Sequence, residues 1–380
     1  MKILLVIDQY FSANNGMTIS ARRFVGILRE HGNEVRIVST GKEGDTQYLM
    51  DRVRVPIFDK VIQEQGMQFA KTDIPLLKEA IKWADIVHFQ APFMISHNGI
   101  MLCKDFNVPY TAAFHVQPEN VTSTLHLSKI QPINAILYWA AKRYVFRYCS
   151  HIHCPSNFIA KELRRHNYKG KIHVISNGID PDFKYRKIEK SEQFKDKFII
   201  LTIGRLSIEK RQDLLMHAVE KSKYKDQIQV IIAGQGPLKK KLEKLASKMD
   251  FPVLIKFFSK EDLLDIIAMS DLYAHPAEVE IEAMSCMEAF ASGLVPIICD
   301  SKKSATPQFA LDKDSLFEKG NADDLAQKID YWIENTKRRK NSELEYSQAA
   351  KKYDLDNCVR QIEDMFKEAL REHSREYTDN

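Results

Sequence analysis

The stretch Asp271-Leu272-Tyr273-Ala274-His275-Pro276-Ala277-Glu278-Val279-Glu280-Ile281-Glu282-Ala283-Met284-Ser285-Cys286-Met287-Glu288-Ala289-Phe290-Ala291-Ser292-Gly293 decides the fold. Residues 271–275 read as a short apolar strand, and Pro276 stops it. A helix is expected to open near Ala283 and to stop at Gly293, whose missing Cβ suits a left-handed residue just past a helix end. Backbone N–H groups at Ile281, Glu282, Ala283 and Met284 have no intrahelical partner at such a start, so they can receive sugar or diphosphate oxygens. Acids early in a helix complement its dipole, which accounts for Glu278, Glu280 and Glu282. It does not account for Glu288, a carboxylate inside an apolar helix and an acceptor suited to paired hydroxyls.

The same strand, turn and helix order runs outward in both directions. Strands are expected at 2–8, 34–39, 86–90, 109–115, 151–154 and 172–176. A second series is expected at 198–203, 228–233, 253–258, 271–275 and 295–298. Helical periods fill the gaps, at 17–31, 156–166, 208–222, 236–249 and 322–335. Continuous apolar strands alternating with helices indicate parallel sheets covered on both faces. The alternation pauses in the charged stretch from Asp180 to Lys197, which reads as a linker. The expected fold is therefore α/β: two Rossmann-like domains, 1–180 and 195–350, with ligands held in a cleft between them beyond the carboxyl ends of the strands. Residues 351–380 form a last amphipathic helix, able to pack back on the first domain.

Composition narrows the class. A chain of 380 residues with 44% hydrophobic side chains can fill two cores. The apolar start at residues 2–7 is too short for a signal peptide, and no apolar run reaches the ~20 residues of a membrane span. The six cysteines form no CxxC pair and read as reduced core thiols, and no zinc or other metal site is expected. A cytoplasmic location is expected. Residues 1–180 carry 22 basic against 15 acidic side chains, while 181–380 carry 34 against 36. A basic first half suits an anionic membrane surface; no RNA motif or recognition helix supports nucleic-acid binding.

Other residues suit chemistry. Gly204-Arg205-Leu206-Ser207-Ile208-Glu209-Lys210 follows a strand, and Arg205 and Lys210 can clamp a diphosphate by charge-assisted hydrogen bonds. Gly234-Gln235-Gly236 resembles part of a dinucleotide fingerprint but lacks its third glycine. In the first half, Asn14-Asn15-Gly16 joins the first strand to a helix, and Gly16 lets backbone approach a phosphate. His115-Val116-Gln117-Pro118-Glu119-Asn120 follows another strand end. Asp180-Pro181-Asp182 and Asp354-Leu355-Asp356 look like metal-binding DxD motifs but lack a strand context.

The Glu280-x7-Glu288 spacing, followed by Ala289-Phe290-Ala291-Ser292-Gly293-Leu294-Val295-Pro296-Ile297, resembles the signature of family 4 retaining glycosyltransferases of the GT-B fold. The likeness covers nearly the whole chain and is greatest to bacterial members that glycosylate diacylglycerol or ceramide. It implies that Glu280 and His115 orient the donor hexose, Glu288 holds the ribose, and Arg205 and Lys210 grip the diphosphate. It also places Gly16, Gly234 and Gly236 near the nucleotide sugar, and Asn15, Gln117, Glu119 and Asn120 on the acceptor side. The family carries a Gly-rich loop where this chain has Ile281-Glu282-Ala283.

Segment 136–148 mixes aromatics with Lys142, Arg143 and Arg147, as an interfacial helix does. The resemblance implies a hexosyltransferase (EC 2.4.1-type) peripheral to the inner face of the membrane. It would move glucose or galactose from a UDP-sugar to a lipid hydroxyl, with retention and without metal or other cofactor. No carboxylate pair at nucleophile spacing is evident, as a front-face mechanism requires. The alternatives are the same fold acting on a soluble or polyprenyl-linked glycan, a sugar-nucleotide epimerase, and a non-catalytic adaptor.

Overall fold

The computed structural model describes residues 1–11, 16–41, 47–54, 68–124 and 131–378. They divide into two compact units, Met1–Gly178 with Leu355–Asn380, and Ile179–Asp354.

The first unit is built on seven strands: β1 (Lys2–Gln9), β2 (Glu34–Thr40), β3 (Tyr48–Met50), β4 (Ile86–Phe89), β5 (Tyr110–Ala113), β6 (His151–Cys154) and β7 (Lys171–Val174). Their order is β3-β2-β1-β4-β5-β6-β7, every pair parallel. β1 is central, with Ile3 facing Val35 on one side and Ile86 on the other. Its Ile3–Ile7 run is buried, as a sheet covered on both faces demands. The helices are α1 (Gly16–Glu30), α2 (Ile74–Trp83), α3 (Met94–Asp105), α4 (Pro118–Thr124), α5 (Gln131–Tyr144) and α6 (Asn157–Arg165). Ser156 caps α6, its hydroxyl accepting from Ile159 N at 3.3 Å.

The second unit has six parallel strands: β8 (Phe198–Ile203), β9 (Ile228–Ala233), β10 (Val253–Lys256), β11 (Leu272–His275), β12 (Pro296–Asp300) and β13 (Leu316–Glu318). Their order is β10-β9-β8-β11-β12-β13. Helices α7 (Gln212–Lys221), α8 (Lys239–Ala246), α9 (Lys260–Met269), α10 (Met284–Ala291), α11 (Ala322–Glu334) and α12 (Thr336–Ala350) complete it. Trp332 is wholly buried, its indole N–H donating to Asp314 O at 3.0 Å. The last helix, α13 (Leu355–Thr378), belongs to the first unit. Its Leu355, Cys358, Val359, Ile362, Phe366 and Ala369 recur at helical period and share a buried cluster with Phe24, Val25 and Leu28 of α1.

Two sequence expectations are corrected, and two strands are added. The charged stretch after Asp180 is no free linker: Phe183 and Phe194 are buried in the core of the second unit, which begins at Ile179 and not at 195. Sparse but large apolar anchors outweigh the surrounding charge there. The helix expected over 208–222 is broken, because Arg211 is left-handed (φ 51°) between a 3-10 turn, Ile208–Lys210, and α7. Strands β3 and β13 escaped the sequence pattern, since three residues carry no readable alternation. All six cysteines are buried, and none is joined in a disulfide.

Candidate functional site

In the second sheet, β8 is followed by strands laid to one side and then, from β11, to the other. β8 and β11 are neighbours and thus flank the point where the strand order reverses, the usual ligand crevice of such sheets. The loop leaving β8 carries Arg205 and Lys210; on the other side His275 closes β11 and Glu280 lies in the loop that leaves it.

The loops are tied together. Glu278 N donates to Glu209 O at 2.9 Å. Lys210 Nζ donates to Glu280 Oε1, and Arg211 to Glu278. Gly204 leaves β8 with φ 158°, and the Lys210 chain runs past it, 3.7 Å from where a Cβ would sit. Arg205 meets Glu209 at 3.0 Å, and Ser207 also donates to Glu209. Gln212 Nε2 holds Arg205 O at 2.9 Å. Both cations are thus preset while keeping about a fifth to a quarter of their side chains exposed (20% and 24%).

Glu280 is 7% exposed. Burial pushes its carboxyl pKa up, but Lys210 and then His275 overcome this and hold it down at about 2. His275 Nε2 lies 3.3 Å from Glu280 Oε1, off the line of a good hydrogen bond. Burial keeps the His275 imidazole below its ordinary value against the pull of Glu280. Tyr273 OH lies 3.2 Å from His275 Nδ1. A neutral ring with its proton on Nε2 turns that N–H edge towards Glu280 and leaves Nδ1 able to accept from Tyr273 OH. His275 and Glu209 are the positioning residues that sequence reasoning did not single out. The signal for His275 was present: a histidine closing a strand five residues before Glu280.

α10 starts without a side-chain cap at Ala283, which is left-handed (φ 69°). That conformation belongs to glycine and costs alanine ~1 kcal/mol. The alanine therefore occupies a position whose geometry a Gly-rich loop would meet without strain. Glu282 and Glu288 are buried at 1% and 8% exposure. The helix ends as expected: Gly293 is left-handed (φ 91°), with Gly293 N donating to Phe290 O and Leu294 N to Ala289 O, both at 3.1 Å.

Gly234 and Gly236 permit a close approach of backbone to backbone. A Cβ on Gly234 would fall 1.9 Å from Gly204 O, and one on Gly236 2.6 Å from Leu206 O. Gly204 N donates to Ala233 O and Leu206 N to Gln235 O, both at 3.0 Å. The two glycines let the β9 loop lie against the backbone that presents Arg205.

In the first unit, His115 follows β5 and packs edge-on against His153, ring centroids 5.0 Å apart. Burial, then His153 and His88, hold its imidazole well below its usual range, so it is neutral at pH 7. Gln117 is buried, Asn120 N donates to Gln117 O at 3.0 Å, and Glu119 accepts from Tyr138 OH at 3.2 Å. Glu119 thus fastens α4 to α5. Gly16 opens α1 in open space. Asn15 lies outside the described residues.

Asp8, near the end of β1, is 2% exposed. Its Oδ1 accepts from Ala70 N at 2.9 Å, while the buried Oδ2 meets no hydrogen-bond partner among the described residues. Burial pushes its carboxyl up to about 7 from 3.8. The folded state therefore holds this proton more tightly than the unfolded chain. Its stabilising contribution is full below about pH 4 and is lost as pH rises through about 7. Asn resembles the protonated acid. In melts between pH 4 and 8, Asp8→Asn is expected to remove up to about 4 kcal/mol of this decline; identical pH profiles for the two proteins would refute the assignment.

Segment 136–148 serves two purposes. Tyr138, Val145 and Phe146 are buried, with Phe114 stacked on Tyr138. Ile136, Trp139 and Tyr144 are 58%, 54% and 51% exposed. Ile136, Trp139 and Arg143 fall at i, i+3 and i+7 on one outward face of α5. His97 of α3 meets Tyr144 O at 2.7 Å, and Met94, one turn before His97, is 62% exposed. Among the described residues, no helix is long and apolar enough to cross a membrane.

Two parallel α/β units, one with paired cations and acids at its switch point, define a Rossmann-like α/β class. Residues 14–183 match the family described as Glycosyltransferase Family 4, and residues 184–353 match Glycosyl transferases group 1. The chain belongs to the glycosyltransferases of the GT-B fold, family 4 type. It is 25% identical over 315 residues to a GDP-mannose-dependent alpha-mannosyltransferase of Corynebacterium glutamicum, covering 78% of this chain and 72% of that one. It is 23% identical over 318 residues to the alpha-monoglucosyldiacylglycerol synthase of Streptococcus pneumoniae, covering 78% and 70%. The structure of Anabaena HepE with UDP-glucose is similar in fold, with a TM-score of 0.73 at 16% identity, covering 97% of this chain and 100% of that one.

Proposed function

We propose that this glycosyltransferase moves a hexose, glucose or galactose, from a UDP-sugar to the hydroxyl of a membrane lipid such as diacylglycerol or ceramide, forming an α-glycoside. The observation that carries the donor half is the Arg205, Lys210 and Glu280 arrangement around the β8–β11 switch point. Arg205 has five N–H donors and can keep Glu209 while turning others to a diphosphate. Lys210 exchanges Glu280 for phosphate oxygens, which frees Glu280 to accept from sugar hydroxyls. Glu288 holds the ribose, and N–H groups at the α10 start receive oxygens of the donor. His115, neutral, orients the hexose as a hydrogen-bonding group. The bond from the anomeric carbon to the diphosphate breaks, the acceptor oxygen bonds to that carbon on the same face, and the leaving diphosphate takes the acceptor proton, so no carboxylate nucleophile takes part. Two cations meet the diphosphate charge, so no metal is required for transfer, and excess EDTA is expected to leave the initial rate within twofold.

The lipid half is supported by the outward face of α5, whose Ile136 and Trp139 lie beside Arg143. Aromatic and aliphatic side chains enter the headgroup region while basic groups meet lipid phosphate. The Streptococcus relative, a monoglucosyldiacylglycerol synthase by name, agrees with this reading. The Corynebacterium relative instead supports GDP-mannose as donor. Incubation with labelled UDP-glucose, UDP-galactose and GDP-mannose, each with lipid vesicles or soluble glycans, separates these readings by the product formed. In flotation with vesicles containing phosphatidylglycerol, the Ile136→Ser/Trp139→Ser variant is expected to bind about tenfold more weakly than the parent. Equal flotation would remove α5 as the membrane face.

A further inference from the structure

The first unit carries a cluster that the transfer reaction does not use. His151 opens β6, His173 lies on β7, and Glu368 and Glu372 stand one turn apart on α13. Among the described residues, His151, His173 and Glu368 form a group whose ligand atoms all lie within 4.8 Å of one another. His151 Nδ1 faces His173 Nε2 at 3.0 Å. The other nitrogen of His151, Nε2, meets Glu372 Oε2 at 3.0 Å.

We propose that His151 Nδ1, His173 Nε2 and a Glu368 carboxylate oxygen form a structural zinc site, with Glu372 orienting His151 from behind. A proton on His151 Nε2, donated to Glu372, leaves Nδ1 as a lone pair aimed at His173; a carboxylate behind a ligating histidine is the usual support of such a site. Two histidines and a glutamate are a zinc donor set, whereas calcium and magnesium take oxygen alone. Ligand atoms around tetrahedral zinc lie about 3.3 Å apart, given bonds of ~2.0–2.1 Å. The observed spacings reach that value by small side-chain movements.

Charge agrees with this assignment. Two neutral imidazoles and two carboxylates offer two negative charges to a divalent ion. Lys171 pairs with Glu368 in this structure, and its side chain is 56% exposed, so it can turn to solvent when the ion enters. A cavity of about 540 Å³ is lined by His173 and Glu368 together with Asp364, Lys367 and Arg371, giving an entry path and room for a water as fourth ligand. β7 is the edge strand of its sheet. The ion would pin α13 to β6 and β7, tying the end of the chain to the first unit.

The test uses the full-length protein after chelation. Titration with Zn²⁺ by calorimetry is expected to show one equivalent bound, with a rise in melting temperature. Co²⁺ in its place is expected to give the visible absorption of a tetrahedral nitrogen and oxygen site. His173→Ala and Glu368→Ala, at half-buried positions, are each expected to weaken Zn²⁺ at least 100-fold and to abolish the zinc-induced stabilisation. Glu372→Gln is expected to weaken it about tenfold. Failure of the parent protein to bind zinc would overturn the site, as would undiminished binding by the His173→Ala/Glu368→Ala double variant. Neither result bears on the donor site, which lies in the other unit.

Discussion

Alanine at Arg205 or at Lys210 is expected to lower kcat/KM for the sugar donor by about 30- to 1000-fold, or ~2–4 kcal/mol of transition-state stabilisation. Charge accumulates on the diphosphate as the glycosidic bond breaks, and donors already fixed in place answer it without reorganising. Arg205 is fixed by Glu209 and Gln212, Lys210 by Glu280. The two variants should differ in stability. Lys210→Ala leaves Glu280 buried beside His275 without its cation, and an unpaired buried charge costs ~3–5 kcal/mol. Glu280 is held at about 2 against an ordinary 4.5. Its contribution to stability is therefore present above about pH 4.5 and lost as pH falls towards 2. Without Lys210 that window moves upward. The Lys210→Ala/Glu280→Gln pair is expected to regain melting temperature but not turnover, which separates folding from catalysis. Steady-state kinetics alongside thermal melts provide the measurement; near-normal turnover in both single variants would eliminate the clamp.

The legible parts of this molecule were those written in contiguous sequence. Long apolar runs such as Ile3–Ile7 and Ile228–Ala233 gave central strands, because burial on both faces leaves no room for alternation. Gly293 announced its helix end because few other residues hold φ 91° cheaply. Arg205, Lys210 and Glu280 were legible as site candidates because each closely follows a strand end. Their mutual pairing was not, since it depends on β8 and β11 being neighbours although β9 and β10 intervene in the chain. Distance along the chain likewise hid the His151, His173 and Glu368 cluster, whose members come from two strands and a distant helix. Phe183 and Phe194 show the opposite failure: local charge suggested a linker, but two aromatic anchors were enough to fix the segment in a core. On α5 the mixed composition was ambiguous in principle, since Tyr138 and Trp139 are adjacent in sequence and one faces the core while the other faces outward.

Gly234→Ala is expected to cost ~3 kcal/mol or more and to lower the melting temperature of the second unit by about 6–12 °C. The added methyl would sit 1.9 Å from Gly204 O, less than any non-bonded carbon–oxygen contact tolerates; the Cβ is fixed by its own backbone and the oxygen belongs to backbone, so neither has a rotamer to change. Relief requires the β8 and β9 loops to part, breaking Gly204 N to Ala233 O and Leu206 N to Gln235 O. Arg205 lies between Gly204 and Leu206, so its guanidinium moves with them. The variant should therefore show a raised KM for the donor even at temperatures where it remains folded, since misplacement by 1 Å can cost about 100-fold. Gly26→Ala supplies the contrast. Gly26 lies inside α1, and a Cβ added there would meet nothing within 4 Å, so alanine is expected to gain ~0.5–1 kcal/mol and leave kinetics unchanged. If Gly234→Ala matched Gly26→Ala in melting and in donor KM, the β9 glycine would have no part in presenting Arg205. The donor site would then owe its geometry to the contacts of Arg205 with Glu209 and Gln212 and of Lys210 with Glu280.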